Sequence, residues 1–229
     1  MHIDDLLDSI QRKIQDDSYS READLLPLVN QGLGEIAATV PLPGLFTMTD
    51  LVCPKGQYAV DLPADFGNWL LQAYNTTRKV PVRLYTSITE LMSHYPEMDA
   101  FAPLCAAARY GPKLYVQGVP DYDSGETLRL SYYKKPTFFT VATVTEIDFI
   151  PEELQPQLLV SYACKEVFNE IEDGVEGVKV NWNTYRKRFE TALGRLFEVI
   201  GQPPQQPGYV IKTQAELVDG WLVEDGAYF

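Results

Sequence analysis

The chain has 229 residues, and its hydrophobic content of 45% is ordinary for a globular protein, so a core can be built. Its formal net charge of −13 argues against direct binding of nucleic acid, which requires clustered Lys and Arg, although an acidic wall around a channel would keep DNA from sticking. No apolar run is long enough to span a membrane, and the acidic opening MHIDDLLDSI is unlike a signal peptide, so we expect a protein made in a cytoplasm that does not enter a membrane.

The N-terminal part of the chain predicts two helices. Apolar residues recur at helical spacing from Ile3 to Gln15 and again from about Arg21 to Val40. Ser20 or Asp24 is expected to cap the second helix. Pro27 conflicts with a regular helix that begins before Asp24, because proline cannot donate a backbone hydrogen bond. The chain is therefore expected to open with an αα-hairpin.

Residues 44–145 predict a β-rich segment, because Pro, Gly and aromatic residues are frequent there and helical periodicity is mostly absent. Ser87 is expected to cap a short helix that ends at His94. Pro81 is expected at a sheet edge. The turn-rich sequence GVPDYDSGE predicts a β-hairpin between the two strands that flank it. The predicted strands are Gln57–Leu62, Asn68–Asn75, Val80–Tyr85, Lys113–Val116, Thr127–Tyr133 and Phe138–Val144, of which the last has an extended arm as its alternative.

The stretch from Ile150 to Ile200 predicts a second αα-hairpin, whose final helix is expected to be capped by Asn181 or Asn183. We therefore expect an α+β fold in which an N-terminal and a C-terminal helix pair form a helical bundle, with a β-rich insertion between them. Residues 1–200 would form one domain, with helices within 3–40 and 150–200 and the insertion at 44–145. The apolar stripe of the final helix is Trp182, Tyr185, Phe189, Leu193, Leu196 and Ile200.

Residues 201–229 predict an extended C-terminal tail, which begins with a Pro- and Gln-rich segment. Chain ends of this kind are usually disordered unless they dock. Because aromatic side chains dominate the energetics of many interfaces, we predict that Trp221, Tyr228 and Phe229 anchor the tail on a partner. The alternative is a tail that folds back on its own domain.

The sequence contains no recognisable catalytic or metal-binding motif. Its three cysteines, Cys53, Cys105 and Cys164, are far apart, and we expect them to be buried rather than paired or bound to metal. The sequence DYDSGE resembles a calcium loop only superficially, because its glycine comes one position too early. We therefore expect no enzyme activity and no cofactor.

Two groups of charged residues leave alternatives open. Glycan hydrolysis needs only two carboxylates, for which Glu166 and Glu170 are the candidates, although a solvated helix face explains them more simply. Arg129, Lys134 and Lys135 form a small basic island in an acidic chain. Charged side chains protect sheet edges from aggregation, and the alternative for these three residues is binding to a partner. We predict that these three residues bind a partner.

Several phrases resemble the head-to-tail adaptor (connector, or head-completion) proteins of tailed bacteriophages. These are SREADLLPLVNQGLGEIA and YAVDLPADF, followed in the same order by GETLRLSYYKKP, IPEELQPQLLVSYACKEVFNEIEDG and NWNTYRKRFETAL. The resemblance covers residues 3–200 and rests on the order of elements rather than on a catalytic motif.

The resemblance implies a structural virion protein at the head–tail junction. Such a protein would form a homo-oligomeric ring, expected to be a dodecamer, beneath the portal protein. The ring would extend the DNA channel without sequence-specific binding and offer a docking surface to a tail or nozzle protein. The alternatives are a non-viral adaptor module that binds a protein partner and, less favoured, a carboxylate-dependent hydrolase of cell-wall glycan.

Overall fold

The structure is a computed structural model that describes residues 2–140, 147–173 and 179–200. The chain divides into two compact units. The helical unit comprises described residues 2–49, 63–70, 131–140, 147–173 and 179–200, and the sheet unit comprises 50–62 and 71–130.

The described residues contain five α-helices: α1 (Ile3–Ile14), α2 (Leu26–Thr39), α3 (Ile88–His94), α4 (Ser161–Ile171) and α5 (Val180–Ile200). α3 belongs to the sheet unit, and Ser87 caps it as predicted, because the Ser87 hydroxyl accepts a hydrogen bond from the backbone N–H of Glu90. None of the helices in the described part of the chain has the length and apolar character needed to cross a membrane.

The conflict that Pro27 poses for a regular helix is resolved by a π-helical turn, and a second such turn begins at Pro156. One turn, Arg21–Leu25, precedes α2, and the other, Pro156–Val160, precedes α4. In a π-helical turn the backbone N–H bonds five residues back, and the N–H of Leu26 accordingly reaches the carbonyl of Arg21. The chain thus passes into α2 with Pro27 in its first turn, where a missing N–H costs little.

The helical unit is organised around α4. With its preceding π-helical turn, α4 contacts α1, α2 and α5, whereas the main contacts of α1 are with α4 and the two π-helical turns. α2 and α4 approach each other closely, because a side chain on Gly32 would meet the ring of Tyr162 at 2.9 Å. The apolar core is built from fully buried residues of all four helices, among them Leu6, Ile10, Leu33, Ile36, Leu159 and Leu196.

The strands form one seven-stranded sheet in the order β1-β7-β3-β4-β5-β6-β2. β3 and β4 pair antiparallel, β4 and β5 parallel, and β6 pairs antiparallel with both β5 and β2. α3 lies in the chain between the parallel strands β4 and β5. The strands are β1 (Phe46–Cys53), β2 (Ala59–Asp61), β3 (Phe66–Asn75), β4 (Val80–Tyr85), β5 (Ala106–Tyr110), β6 (Lys113–Val116) and β7 (Glu126–Lys134).

The predicted architecture, a helical bundle of two terminal pairs with a β insertion, is wrong. Strands dominate the middle of the chain, α3 lies among them, and residues of β1, β3 and β7 belong to the same compact unit as the other helices. The helices also do not form an N-terminal and a C-terminal pair, since α1 packs mainly against α4. A hydrophobic stripe shows which face of a helix is buried, but it does not show which element covers that face.

Two predictions about the sheet are also wrong. Lys113–Val116 and β7 do not form a hairpin, because β6 lies between β5 and β2, and β7 lies between β1 and β3. Pro81 lies on an interior strand rather than at an edge, and it is accommodated because the ladder between β4 and β5 begins only at Arg83. Of the predicted strand Phe138–Val144, residues 141–144 lie outside the described part of the chain, and residues 138–140 are not in a strand.

The interior of the sheet unit contains a buried carboxylate, Glu126, at the start of β7. Its oxygens accept hydrogen bonds from the side-chain amide of Asn75, the backbone N–H of Leu104 at 3.3 Å and the guanidinium of Arg78 at 2.7 Å. Arg78 also contacts Asp121 at 2.8 Å and lies over the ring of Tyr122. These contacts tie the loop before β7 to the turn between β3 and β4.

Replacing Glu126 with alanine is expected to lower the free energy of unfolding by about 3 kcal/mol, because three donors lose a buried acceptor at once. Urea denaturation measures this change. Glu97→Ala is the matched control, since Glu97 is exposed in the same unit, and it should change stability by no more than about 0.5 kcal/mol. Equal effects of the two substitutions would contradict the role given to Glu126.

Candidate interaction surfaces

α5 is thinly covered for a helix of 21 residues, because only Phe189, Ala192 and Leu196 are buried. The rest of its predicted stripe is half-buried, and large apolar side chains stand outside that stripe. Val180 is 65% exposed and Val199 is 59% exposed. A helix with this much uncovered apolar surface is a natural contact surface for another chain.

The start of α5 is capped by a carboxylate from outside the helix. The oxygens of Glu172 accept hydrogen bonds from the backbone N–H groups of Asn181 at 3.1 Å and Trp182 at 3.2 Å. The predicted caps are therefore wrong: the Asn183 side chain donates to the carbonyl of Lys179 instead. A negative charge at this end also suits the helix dipole, so Glu172 links the end of α4 to the start of α5.

A groove of about 500 Å³ lies along one side of α5, between α2, α4 and α5. Lys165 projects into it above the rings of Tyr162, at 4.3 Å, and Phe189, at 5.3 Å, and pairs with Glu166 at 2.9 Å. Burial raises the pKa of Tyr162, and its hydrogen bond to Glu35 acts in the same direction. The charges in this groove are therefore largely balanced within the unit.

The two carboxylates considered for glycan hydrolysis are both engaged by neighbours. Glu166 pairs with Lys165, and Glu170 accepts a hydrogen bond from the hydroxyl of Tyr19 at 3.3 Å. Burial and the negative charge of Glu170 raise the pKa of Tyr19. Among the described residues, no cluster of His, Cys, Asp or Glu could hold a metal ion.

A second groove, of about 480 Å³, lies on the other side of α5 and is basic. We call it the basic groove. Its charged lining consists of Lys13, Lys187, Arg188 and Arg195. Within the described residues, none of these four side chains pairs with a carboxylate. The guanidinium of Arg195 instead donates to the amide oxygen of Gln157 at 3.2 Å.

Cys164 is buried in α4, and burial raises the pKa of its thiol to about 12, while the positive charges of Lys13 and Arg188 act in the opposite direction. Cys53 is likewise buried, and its pKa is raised to about 12. Cys105 differs from the prediction, because it is exposed, and its thiol donates a hydrogen bond to the amide oxygen of Gln117 at 2.9 Å. Cys53 and Cys164 are therefore inert at neutral pH, since the thiolate is the reactive form.

The predicted partner-binding residues differ in their surroundings. In the sheet unit, Arg129 makes two hydrogen bonds to Asp50, at 2.9 and 3.1 Å, so its charge is already balanced. In the helical unit, Lys134 and Lys135 are exposed at the rim of a small pocket beside Phe138. Their binding role stays a prediction. Trp221, Tyr228 and Phe229 lie outside the described residues, as does the whole predicted tail, 201–229.

The acidic residues of DYDSGE are held by cations of the same unit. Asp121 and Glu126 pair with Arg78, and Asp123 pairs with Lys55 at 2.6 Å. The Lys55 ammonium also lowers the pKa of Asp123. This loop is therefore a polar turn stabilised by ion pairs, in agreement with the turn that its sequence predicts.

Comparison with known proteins adds one match. The profile of the SU10 adaptor protein family matches residues 1–209, which is most of the chain. The chain belongs to the SU10 adaptor protein family. The match confirms the resemblance to phage head-to-tail adaptors that the sequence carries between residues 3 and 200. A search of curated proteins finds nothing that matches this adaptor.

Sequence reasoning missed the basic groove of this adaptor. A signal for half of it was present, because Lys187, Thr191 and Arg195 are spaced four residues apart and so line one row of α5. No sequence pattern places Lys13 of α1 beside that row. The capping role of Glu172 was missed for the same reason, since nine residues separate it from Asn181.

The ion pair between Arg129 and Asp50 should change the titration of the Asp50 carboxyl. The hydrogen bond from Arg129 lowers the pKa of the Asp50 carboxyl. The pair therefore contributes stability above the ordinary aspartate pKa of about 3.9, and the contribution is lost as the pH falls through the lower folded-state value. In Arg129→Gln, the pKa of Asp50 should rise towards its ordinary value, as measured by carboxyl-detected NMR.

Asp123 provides the internal control in the same spectra. Its pKa is lowered by Lys55 rather than by Arg129, so it should stay low in the Arg129→Gln variant. A pKa of Asp50 that does not move would show that the side chains are apart in solution.

Proposed function

We propose that this chain is a structural virion protein that forms a ring beneath the portal of a tailed phage, extends the DNA channel and offers a docking surface to a tail or nozzle protein. Membership of the SU10 adaptor protein family is the observation that carries the proposal. The ring is proposed as a dodecamer at the head–tail junction. No reaction forms part of this function.

The exposure of α5 supports assembly with other copies. Its buried residues number three in 21, and apolar side chains such as Val180 and Val199 remain open on the isolated chain. A ring buries one surface of each copy against a different surface of the next, and closure fixes the number of copies. α5 is the longest described helix, so it offers the longest continuous strip for such a contact.

The charge of the chain supports a passive channel. A net charge of −13 produces a repulsive field towards the phosphates of DNA, so a channel lined by this protein would let DNA pass without holding it. Specific DNA binding would require a large basic surface in place of this field.

Native mass spectrometry of the purified chain, alone and mixed with the portal protein from the same genome, tests the proposal. We expect a closed ring of the chain, or binding to the portal ring in ring stoichiometry. The control is an unrelated portal protein at the same concentration, which should not bind. A chain that stays monomeric and ignores its portal would overturn the proposal.

The predicted tail anchors form the second test. Replacing Trp221, Tyr228 and Phe229 together with alanine should weaken binding to portal or to a neighbouring copy by at least about tenfold, because buried aromatic anchors contribute most of many interface energies. The fold should not change, as judged by circular dichroism. Tyr209→Ala is the control within the same tail. Unchanged affinity of the triple variant would remove the anchors from the proposal.

A further inference from the structure

The basic groove stands out because its positive charges are not balanced within the described residues. Elsewhere in the helical unit, Arg21 pairs with Asp8 at 2.8 Å and Arg186 pairs with Glu190 at 2.8 Å. Lys187 and Arg195 have no such partner in the described part of the chain. In a protein of net charge −13, four unpaired cations in one groove indicate a site for an anionic group.

The shape of the groove favours an extended anionic chain over a single small ion. Lys187, Thr191 and Arg195 occupy successive turns on one face of α5, and the row from first to last is about 12 Å long. Lys13 faces this row from α1, and Pro156 and Gln157 supply the wall at the start of α4. A row of this length suits a strand of peptide.

Two of the cations are held in place before anything binds. Arg195 is hydrogen-bonded to Gln157, and the guanidinium of Arg188 lies 5.2 Å from the ring of Tyr185. Side chains that are already ordered lose less entropy when a ligand arrives, so each contact retains more of its strength.

The chain itself carries a matching anionic segment. Between residues 201 and 229 all the carboxylate side chains lie within ten positions, at Glu216, Asp219, Glu224 and Asp225, and the one basic side chain is Lys212. We propose that the basic groove binds the acidic segment Glu216–Asp225 of this same chain. The segment has four carboxylates for the four cations of the groove.

The connecting length permits this contact. Arg195 lies five residues before Ile200, the end of α5, which is about 7.5 Å along the helix. Residues 201–215 can span up to about 50 Å when extended, so the acidic segment can reach the groove of its own chain.

Because the acidic segment and the basic groove belong to one chain, weak charge contacts are sufficient to bring them together. A segment joined to its site by a short flexible linker acts at an effective concentration in the millimolar range. Duplex DNA has no such advantage, and the overall negative charge of the protein opposes it. Binding of DNA in the groove is therefore the outcome to be tested against the proposal.

Disulfide trapping in the full-length chain tests the contact. The exposed native thiol is removed by Cys105→Ser, and the buried thiols of Cys53 and Cys164 stay unreactive. Thr191→Cys then places a thiol in the groove, and Gly220→Cys places one within the acidic segment. Diamide oxidation should produce the disulfide rapidly, as a shifted monomer band on a non-reducing gel. A covalent dimer without that band would contradict the proposal.

Reversing the groove charge supplies the decisive comparison. Lys187→Glu with Arg195→Glu should slow trapping by at least about tenfold, the change that follows from losing about 1.4 kcal/mol of attraction. Adding Glu216→Lys and Asp219→Lys should restore the rate, because the signs are then exchanged. Trapping should also slow in about 1 M salt, where charges are screened beyond about 3 Å.

Glu190→Cys in place of Thr191→Cys is the positional control, because Glu190 is exposed on α5 but lines the other groove. Equal trapping at the two positions, or trapping that ignores charge reversal, would overturn the proposal. Fluorescence anisotropy with a labelled DNA duplex completes the test. If charge reversal abolishes DNA binding but leaves trapping unchanged, the groove binds nucleic acid and the proposal is wrong.

Discussion

The helical unit depends on the burial of one helix, α4, by three others. Leu158, Leu159 and Val160 of its π-helical turn are fully buried, as are Ala163, Cys164 and Val167 of the helix. Each neighbouring helix carries an apolar stripe that cannot be buried alone, and α4 contacts all three of them. Pro156 is the first residue of this π-helical turn, a position where the missing N–H of proline costs little.

Charge in this protein is arranged in two ways. In the sheet unit, Arg78, Lys55 and Arg129 each pair with a carboxylate, and this pairing holds the loop before β7 and the edge strand β1. In the helical unit, α5 separates a groove with balanced charges from the basic groove, whose cations are open. An acidic protein that leaves a compact basic surface unpaired retains a selective site for anionic groups, since the field elsewhere repels them.

Membership of the SU10 adaptor protein family gives these surfaces a context. An adaptor needs contact surfaces rather than a reactive centre, and the described residues offer such surfaces along α5. α5 carries exposed apolar side chains and lines both grooves, so a contact made by α5 would use both apolar burial and charge. Glu172 accepts hydrogen bonds from the first turn of this helix and so links the start of α5 to the end of α4.

The sequence by itself determined those features that depend only on residues a few positions apart in the chain. The helical spacing of α1 and the Ser87 cap of α3 are both found in the structure, because periodicity and capping act over a few residues. The family resemblance was also readable from the sequence, since it rests on phrases and their order.

Only the tertiary structure decided how these elements combine. β5 was missed because its alanines have little β propensity and become a strand through pairing with β4 and β6. The sequence predicted a hairpin of β6 and β7, but β6 lies between β5 and β2, and β7 lies between β1 and β3. The helices looked like two terminal pairs, yet α1 packs on α4. Pairing and packing bring together residues that are far apart in the chain, so no local pattern records them, and the basic groove, built from Lys13 and residues of α5, exists for the same reason.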